Sequence, residues 1–293
     1  MSSYGALAQV VRRKQKDAGV PATRVRDLAD IDVQYFKNGN ARGSNVFRED
    51  TGAHDQNRII VFATDANITH LMRSPVWLSN GTFRFGATTP LVYVLLPGKC
   101  ELLYTGLFHV VHDAIVRVAR QGNVGPKYMI MDFEQSAIKA FGTVFPESVI
   151  GGCNFHLGQS VHRKLVDLGH KLAYANDPEF SLNCRMVLAL AFVPPTDVER
   201  VFNELLQKPG FPFRPTDLFV QYIRPSYIGK TVLTAAGCVN KAPLCPIRMW
   251  NCYERLLQDV HRTTNRLEAW HKTFAETVDK DHPEIYGFFN LLC

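Results

Sequence analysis

The residues in this chain that carry the most chemistry are two acids far apart in sequence and a third position that holds an amide. Asp132 stands in Met131-Asp132-Phe133-Glu134, at the end of an apolar run, and Glu268 stands in Thr264-Asn265-Arg266-Leu267-Glu268-Ala269-Trp270-His271. Upstream, Ser79-Asn80-Gly81-Thr82-Phe83 has an asparagine where an aspartate would complete a three-carboxylate set. Such a set suits two Mg²⁺ ions about 3.5–4 Å apart, one activating an attacking water or hydroxyl and the other stabilising the leaving oxygen of a phosphodiester. Carboxylates serve because each brings full charge and two hard oxygens. Asn80 offers one neutral carbonyl oxygen and a nitrogen that cannot ligate, so position 80 decides whether the chemistry survives.

Each of these residues also has a plainer use. An Asp between a strand and a helix is a common N-cap. Glu134 lies near a helix start, where the dipole favours a carboxylate, and is given an auxiliary role. Glu268 sits on an amphipathic helix anchored by Leu267, Trp270 and Phe274. Cys153-Asn154-Phe155-His156 has the Cys-x2-His spacing of two zinc ligands, but a structural zinc needs four. His162 and His271 are candidates that sequence does not place; the alternative is a buried Cys with a hydrogen-bonding His. Arg163, Lys164, Arg262, Arg266 and Lys272 could contact phosphate or be ordinary solvated charges. Trp250, Tyr253, Trp270 and Phe274 read as core rather than as base-stacking groups. No Walker-type loop, nucleophile elbow or dinucleotide glycine fingerprint is present.

Taken in order, Asn80-Gly81-Thr82-Phe83, Asp132-Phe133-Glu134, Cys153-Asn154-Phe155-His156 and Asn265 to His271 resemble the motifs of the Mutator-like (MULE) transposase domain, a DDE-type family. The resemblance covers roughly residues 58–290. It implies a ribonuclease H-like mixed sheet with an α-helical insertion. The first acid would lie on the first strand, the second on the fourth strand beside it, and the last on a closing helix. It further implies Mg²⁺-dependent cutting and joining of transposon DNA ends in the nucleus, with DNA and further copies of the chain as partners. Asp132 and Glu268 would be the metal ligands, Asn80 the degenerate first position, Glu134 and His271 auxiliary, and Arg163, Lys164, Arg266 and Lys272 the DNA contacts. Cys153 and His156 would be a hallmark near the active site, with zinc as one use. Two departures point to impaired catalysis: Asn80 itself, and the short link Phe85 to Pro90, from which one hairpin strand is expected to be missing. The alternative function is a domesticated, non-catalytic DNA-binding or protein-interaction module.

These residues need a scaffold, and the rest of the chain can supply one. Its 293 residues are 46% hydrophobic, enough for a sizeable core. A formal charge of +6 permits nucleic-acid binding without demanding it. Seven cysteines, an odd count without a Cys-x2-Cys pair, point to a reducing compartment. Apolar stretches such as Val187 to Pro195 are too short to span a bilayer, so no membrane partner is expected.

Residues 1–57 read as a basic arm and flexible linker, with Arg12-Arg13-Lys14 in it. Residues 58–156 read as the first part of the core, 157–255 as an α-helical insertion and 256–293 as a C-terminal closing helix. Within the core, strands are predicted at Arg58 to Ala63, Val76 to Leu78, Leu91 to Leu96, Tyr128 to Met131 and Ser148 to Ile150, the last broken by Gly151-Gly152. Helices are predicted at Asp65 to Met72, Leu102 to Arg120 and Glu134 to Phe145. Helical pattern then dominates from Gln159 to Leu206 and from Trp250 to Glu276. The alternation favours a mixed α/β sheet.

Overall fold

The computed structural model describes residues 28–31, 33–34, 47–80, 84–85, 90–119, 125–234 and 237–265. The basic arm at 12–14 and the residues Arg266, Glu268, His271 and Lys272 lie outside the described residues. The fold is mixed α/β, and the chain divides into two units. One is Met1–Lys127, Glu134–Ser148 and Asn265–Cys293; the other is Tyr128–Phe133 and Val149–Thr264.

The first unit holds strands β1 (Phe47–Asp50), β2 (Ile60–Phe62), β3 (Val76–Asn80), β4 (Arg84–Phe85) and β5 (Val92–Leu95), ordered β1-β2-β5-β4-β3. Every pairing within this set is antiparallel. Helices α1 (Asp65–Arg73), α2 (Glu101–Ala119) and α3 (Gln135–Val144) complete the unit. Helix α1 begins where the Thr64 side chain accepts from the Asn67 N–H, satisfying one orphan donor of the first turn. The Trp77 indole then donates to the Leu71 carbonyl at 2.9 Å, fastening β3 to the end of α1.

Helix α2 buries Tyr104, Leu107, Phe108, Val111 and Ile115, and α3 buries Ala137, Ala140 and Phe141. Phe108 meets Phe141 edge-on at 5.2 Å, Trp77 meets Phe145 at 5.4 Å, and Phe141 stacks on Phe145 at 4.9 Å. Each such ring contributes roughly 1.5–3 kcal/mol by burial. Helix α2 is long and apolar enough, by length and composition, to cross a membrane. Here its apolar stripe faces a folded core.

Two expectations for this unit are corrected. The polar stretch before Arg58, expected as flexible linker, contains β1. That strand covers the outer edge of β2, whose three residues are all buried and need a ladder partner. The strand expected to be missing between β3 and β5 is present as β4. It pairs with both neighbours, Asn80 opposite Arg84 and Phe85 opposite Val92. The short link leaves room for only two paired residues, which is why no strand pattern was visible in sequence.

The second unit joins a parallel pair, β6 (Tyr128–Met131) and β7 (Val149–Gly152), to a helical body. That body contains α4 (Asn154–Asp167), α5 (Lys171–Asn176), α6 (Pro178–Ala189), α7 (Val198–Gln207), α8 (Leu218–Ile223), α9 (Ile247–Trp250) and α10 (Tyr253–Leu257). Its core packs Leu157, Val161, Leu190, Phe202, Phe219 and Trp250 together. Asp177 caps α6 by accepting from the Glu179 and Phe180 N–H groups.

Three expectations change here. The insertion expected as α-helical over 157–255 also holds an antiparallel hairpin, β8 (Lys230–Thr234) with β9 (Gly237–Lys241), in the stretch between its two helical patterns. Gly151 and Gly152 do not break β7 but complete it, opposite Ile130 and Met131. The helix expected from Trp250 onward is interrupted at Asn251. Its side chain donates to the Leu190 and Val193 carbonyls and accepts from the Tyr253 N–H, so it bonds across the fold rather than along a helix.

Candidate functional site at the ends of β6 and β7

Strand β6 is buried along its whole length, as a parallel strand covered on both faces should be. The ladder runs one step past the paired residues, because the Cys153 N–H donates to the Met131 carbonyl at 2.8 Å. Asp132 and Cys153 therefore leave the sheet side by side at the C-terminal ends of two parallel strands. That is where α/β sheets present functional side chains. Asp132 is half-buried, and Cys153 is fully buried at the start of α4.

The two glycines before Cys153 make this geometry possible. A Cβ on Gly152 would lie 2.6 Å from the Phe133 ring, and one on Gly151 would lie 2.7 Å from the Ile130 side chain and 2.9 Å from Arg255 Nη1. Close approach, rather than a turn, requires glycine here. Phe133 is held in turn by an edge contact with Tyr227 at 6.1 Å.

The Cys153 sulfur is a hub. Thr264 donates to it twice, from its backbone N–H and from its hydroxyl, each at 3.3 Å. His156, one turn into α4, also hydrogen-bonds to it. Burial pushes the Cys153 thiol up, but the hydrogen bonds from His156 and Thr264 outweigh it and hold the thiol below its ordinary range. Beneath it lies Arg255, whose Nη2 donates to the Gly152 carbonyl at 3.0 Å, to the Asn251 carbonyl at 3.1 Å and to Cys252 Sγ at 3.2 Å. Its Nη1 is buried with no hydrogen-bond partner among the described residues. Burial pushes the Arg255 guanidinium down, with Cys252 and Cys153 opposing. Burial likewise pushes the Cys252 thiol up, against the pull of Arg255 and Arg262.

Of the residues expected from sequence, Asp132 and Cys153 follow two paired parallel strands, and His156 hydrogen-bonds to the Cys153 sulfur. Asn80 ends β3, opposite Arg84. Glu134 serves the first unit: it occupies the N-cap position of α3 without a side-chain capping bond, and accepts from the Tyr104 hydroxyl at 2.8 Å. Arg163 is exposed on α4 beside Gln159, whereas Lys164 is half-buried with its ammonium 5.5 Å from the Tyr222 ring centroid. Arg262 is exposed and lies over Phe192 at 5.9 Å. Among the described residues, no three or more His, Cys, Asp or Glu side chains gather to hold a metal. Thr264, Cys252 and Arg255 were not singled out in sequence. Thr264 adjoins the last motif, which was a usable signal; nothing local marks Arg255 as buried.

The chain matches no protein-family model, no curated protein and no solved structure.

Proposed function

We propose that this chain is transposase-derived and of the Mutator-like type: a DNA-binding protein of ribonuclease H-like build, whose ancestral Mg²⁺-dependent cleavage and strand transfer is impaired by the asparagine at position 80. The observation that carries the reading is positional. Asn80 ends β3, and Asp132 directly follows β6, which is the fourth strand counted from β3. Support also comes from element order, since β3-β4-β5-α2-β6-α3-β7 has the strand and helix sequence of a ribonuclease H-like core.

The donor set does not fit a working Mg²⁺ pair. Asp132 and Glu268 would each bring a carboxylate, but Asn80 brings a neutral oxygen to the first position, and no catalytic step is assigned to the natural chain. Zinc does not fit Cys153 and His156 either. The sulfur already accepts two bonds from Thr264 and one from His156, and no third ligand joins them among the described residues.

The partner is DNA, in the nucleus, met by Arg163 and by Arg266 and Lys272 of the last motif, with a second copy of the chain to hold the second end. Asn80 equally favours a rival in which only the binding role persists, as a domesticated DNA-binding or protein-interaction module. Nicking of supercoiled plasmid in Mg²⁺ or Mn²⁺ separates the two. The reading expects a silent natural chain, activity in Asn80→Asp and silence again on adding Glu268→Ala. Silence in all three together with steeply salt-dependent DNA binding would select the rival. Absence of both nicking and DNA binding in folded protein would sink both.

A further inference from the structure

The hairpin β8–β9 is a two-stranded sheet of its own. Its register sets Lys230 opposite Lys241, Thr231 opposite Asn240, Val232 opposite Val239 and Leu233 opposite Cys238. Like charges directly opposite each other destabilise an antiparallel pair. A lone hairpin is also marginal in water unless something covers it. We infer that this hairpin is an arm that lies in the major groove of a DNA duplex, with Lys230 and Lys241 meeting phosphates. The DNA partner rests on the function proposed above; the choice of the hairpin as the contacting element rests on its own charge and geometry.

The charge is one-sided here. Between Asp217 and Glu254 the chain has four basic residues, Arg224, Lys230, Lys241 and Arg248, and no acidic one. The whole chain has 27 acidic residues against 33 basic, so this stretch departs from the rest. Arg224 is committed to the fold, donating to the Asn203 side chain and lying over the Phe202 ring at 5.2 Å. Lys241 and Arg248 are exposed, as are Val239 and Asn240 on β9. Strand alternation puts the Val232–Val239 pair on the face of the two lysines and the Thr231–Asn240 pair on the other, so neither face is apolar throughout. A surface for lipid or for a second apolar sheet would carry an apolar strip. A mixed ribbon suits a groove, where an amide or hydroxyl meets base edges and a valine meets a thymine methyl. The major groove is wide enough to admit a two-stranded ribbon.

The base of the arm is fixed. The π-helical turn Arg224–Ile228 ends at Gly229, whose φ of +105° suits glycine and whose N–H donates to the Arg224 carbonyl at 2.7 Å. A Cβ at Gly229 would lie 3.2 Å from the Lys241 carbonyl at the end of β9. Beyond β9, the Leu244 and Cys245 N–H groups donate to the Pro225 and Ser226 carbonyls, each at 2.9 Å. Both strands are thus rooted in one turn, and the Trp250 indole fastens that turn by donating to the Tyr227 carbonyl at 2.9 Å. A rooted arm loses less freedom on binding than an unanchored loop does.

The test is fluorescence anisotropy of a labelled DNA duplex with the full chain across a salt series. Each phosphate-bound lysine contributes about 0.9 to the slope of log affinity against log salt. Replacing both, Lys230→Gln with Lys241→Gln, should therefore weaken binding and flatten that slope by about 1.8, and Lys230→Arg with Lys241→Arg should keep it. The glutamine pair should melt no lower than the natural chain, since it removes a like-charge pair. A major-groove ligand such as methyl green should displace the natural chain from the duplex. Natural affinity and slope in the glutamine pair would overturn the inference and leave the DNA-binding function intact. So would displacement by the minor-groove ligand netropsin and not by methyl green. A lower melting temperature in the glutamine pair would overturn it too, because the lysines would then serve the fold. Lysine-dependent binding to vesicles of acidic lipid in preference to the duplex would overturn it in favour of a membrane surface. A folded natural chain that binds no DNA would defeat the proposed function and take the arm's partner with it.

Discussion

Two arginines, each sunk in the interior of its own unit, meet different surroundings. Arg58, 2% exposed in the first unit, is matched in full. Nε and Nη2 grip the two Asp50 oxygens at 2.8 and 2.9 Å, and the Leu28 and Ile31 carbonyls take further bonds. Arg255, 5% exposed in the second unit, has carbonyls and a thiol for acceptors and, among the described residues, no carboxylate contact and a buried Nη1 with no hydrogen-bond partner. A buried charge with a bidentate carboxylate belongs to a scaffold. A buried charge balanced by carbonyls and sulfur is less settled, and it lies directly beneath the strand ends where Asp132 and Cys153 emerge. Local rules are kept where the chain only has to fold and relaxed beside the candidate site.

The comparison breaks first at Asp50. Asp50→Ala strands the Arg58 charge and also removes the acceptor of the Gly52 N–H, so it should cost about 3–5 kcal/mol in urea unfolding followed by tryptophan fluorescence. A loss under about 1 kcal/mol would show that Arg58 is no better settled than Arg255. Next comes Gly152→Ala, whose Cβ would collide with the Phe133 ring; forced overpacking of this kind should cost about 1–3 kcal/mol in the same assay. Arg255→Met should cost less than about 1.5 kcal/mol, because removing an ill-matched buried charge offsets part of the lost hydrogen bonds. A cost equal to that of Asp50→Ala would erase the contrast.

The smallest effect is a pH dependence in the second unit. Burial pushes the Cys184 thiol up to about 12. The folded value lies above the unfolded one, so the stabilisation is fully present below about pH 9 and is lost as pH rises toward 12. The slope from this group is at most about 1.4 kcal/mol per pH unit. Cys184→Ala should flatten the alkaline limb of a stability–pH profile relative to the natural chain; an unchanged limb would mean the thiol titrates normally.

What sequence made legible was what is encoded locally. Tyr128 to Met131 is four apolar residues between polar ones and emerged as β6 unchanged. Leu102 to Arg120 carries a helical period and emerged as α2, shifted by one residue. Cys153 and His156 were singled out, and His156 hydrogen-bonds to the Cys153 sulfur; Asp132, also singled out, follows the neighbouring strand β6. The failures depend on partners distant in sequence. Strand β1 is charged and short, and it is a strand because β2 needs an edge. Gly151-Gly152 looked like a break because local propensity cannot register that Phe133 and Arg255 crowd the backbone there. Asn251 ends a helical pattern through carbonyls some sixty residues earlier, at Leu190 and Val193. The Thr264–Cys153 contact spans 111 residues and has no local signature.

The central claim, which rests on the proposed function, is that an aspartate at position 80 would restore divalent-metal binding that also depends on Asp132. Isothermal titration of Mn²⁺ into the natural chain, Asn80→Asp, and Asn80→Asp with Asp132→Ala tests this without any catalytic readout. The account predicts binding at least about tenfold tighter in Asn80→Asp than in the natural chain, with the gain abolished by Asp132→Ala. Equal affinities in the natural chain and Asn80→Asp, or a gain that survives Asp132→Ala, would contradict it.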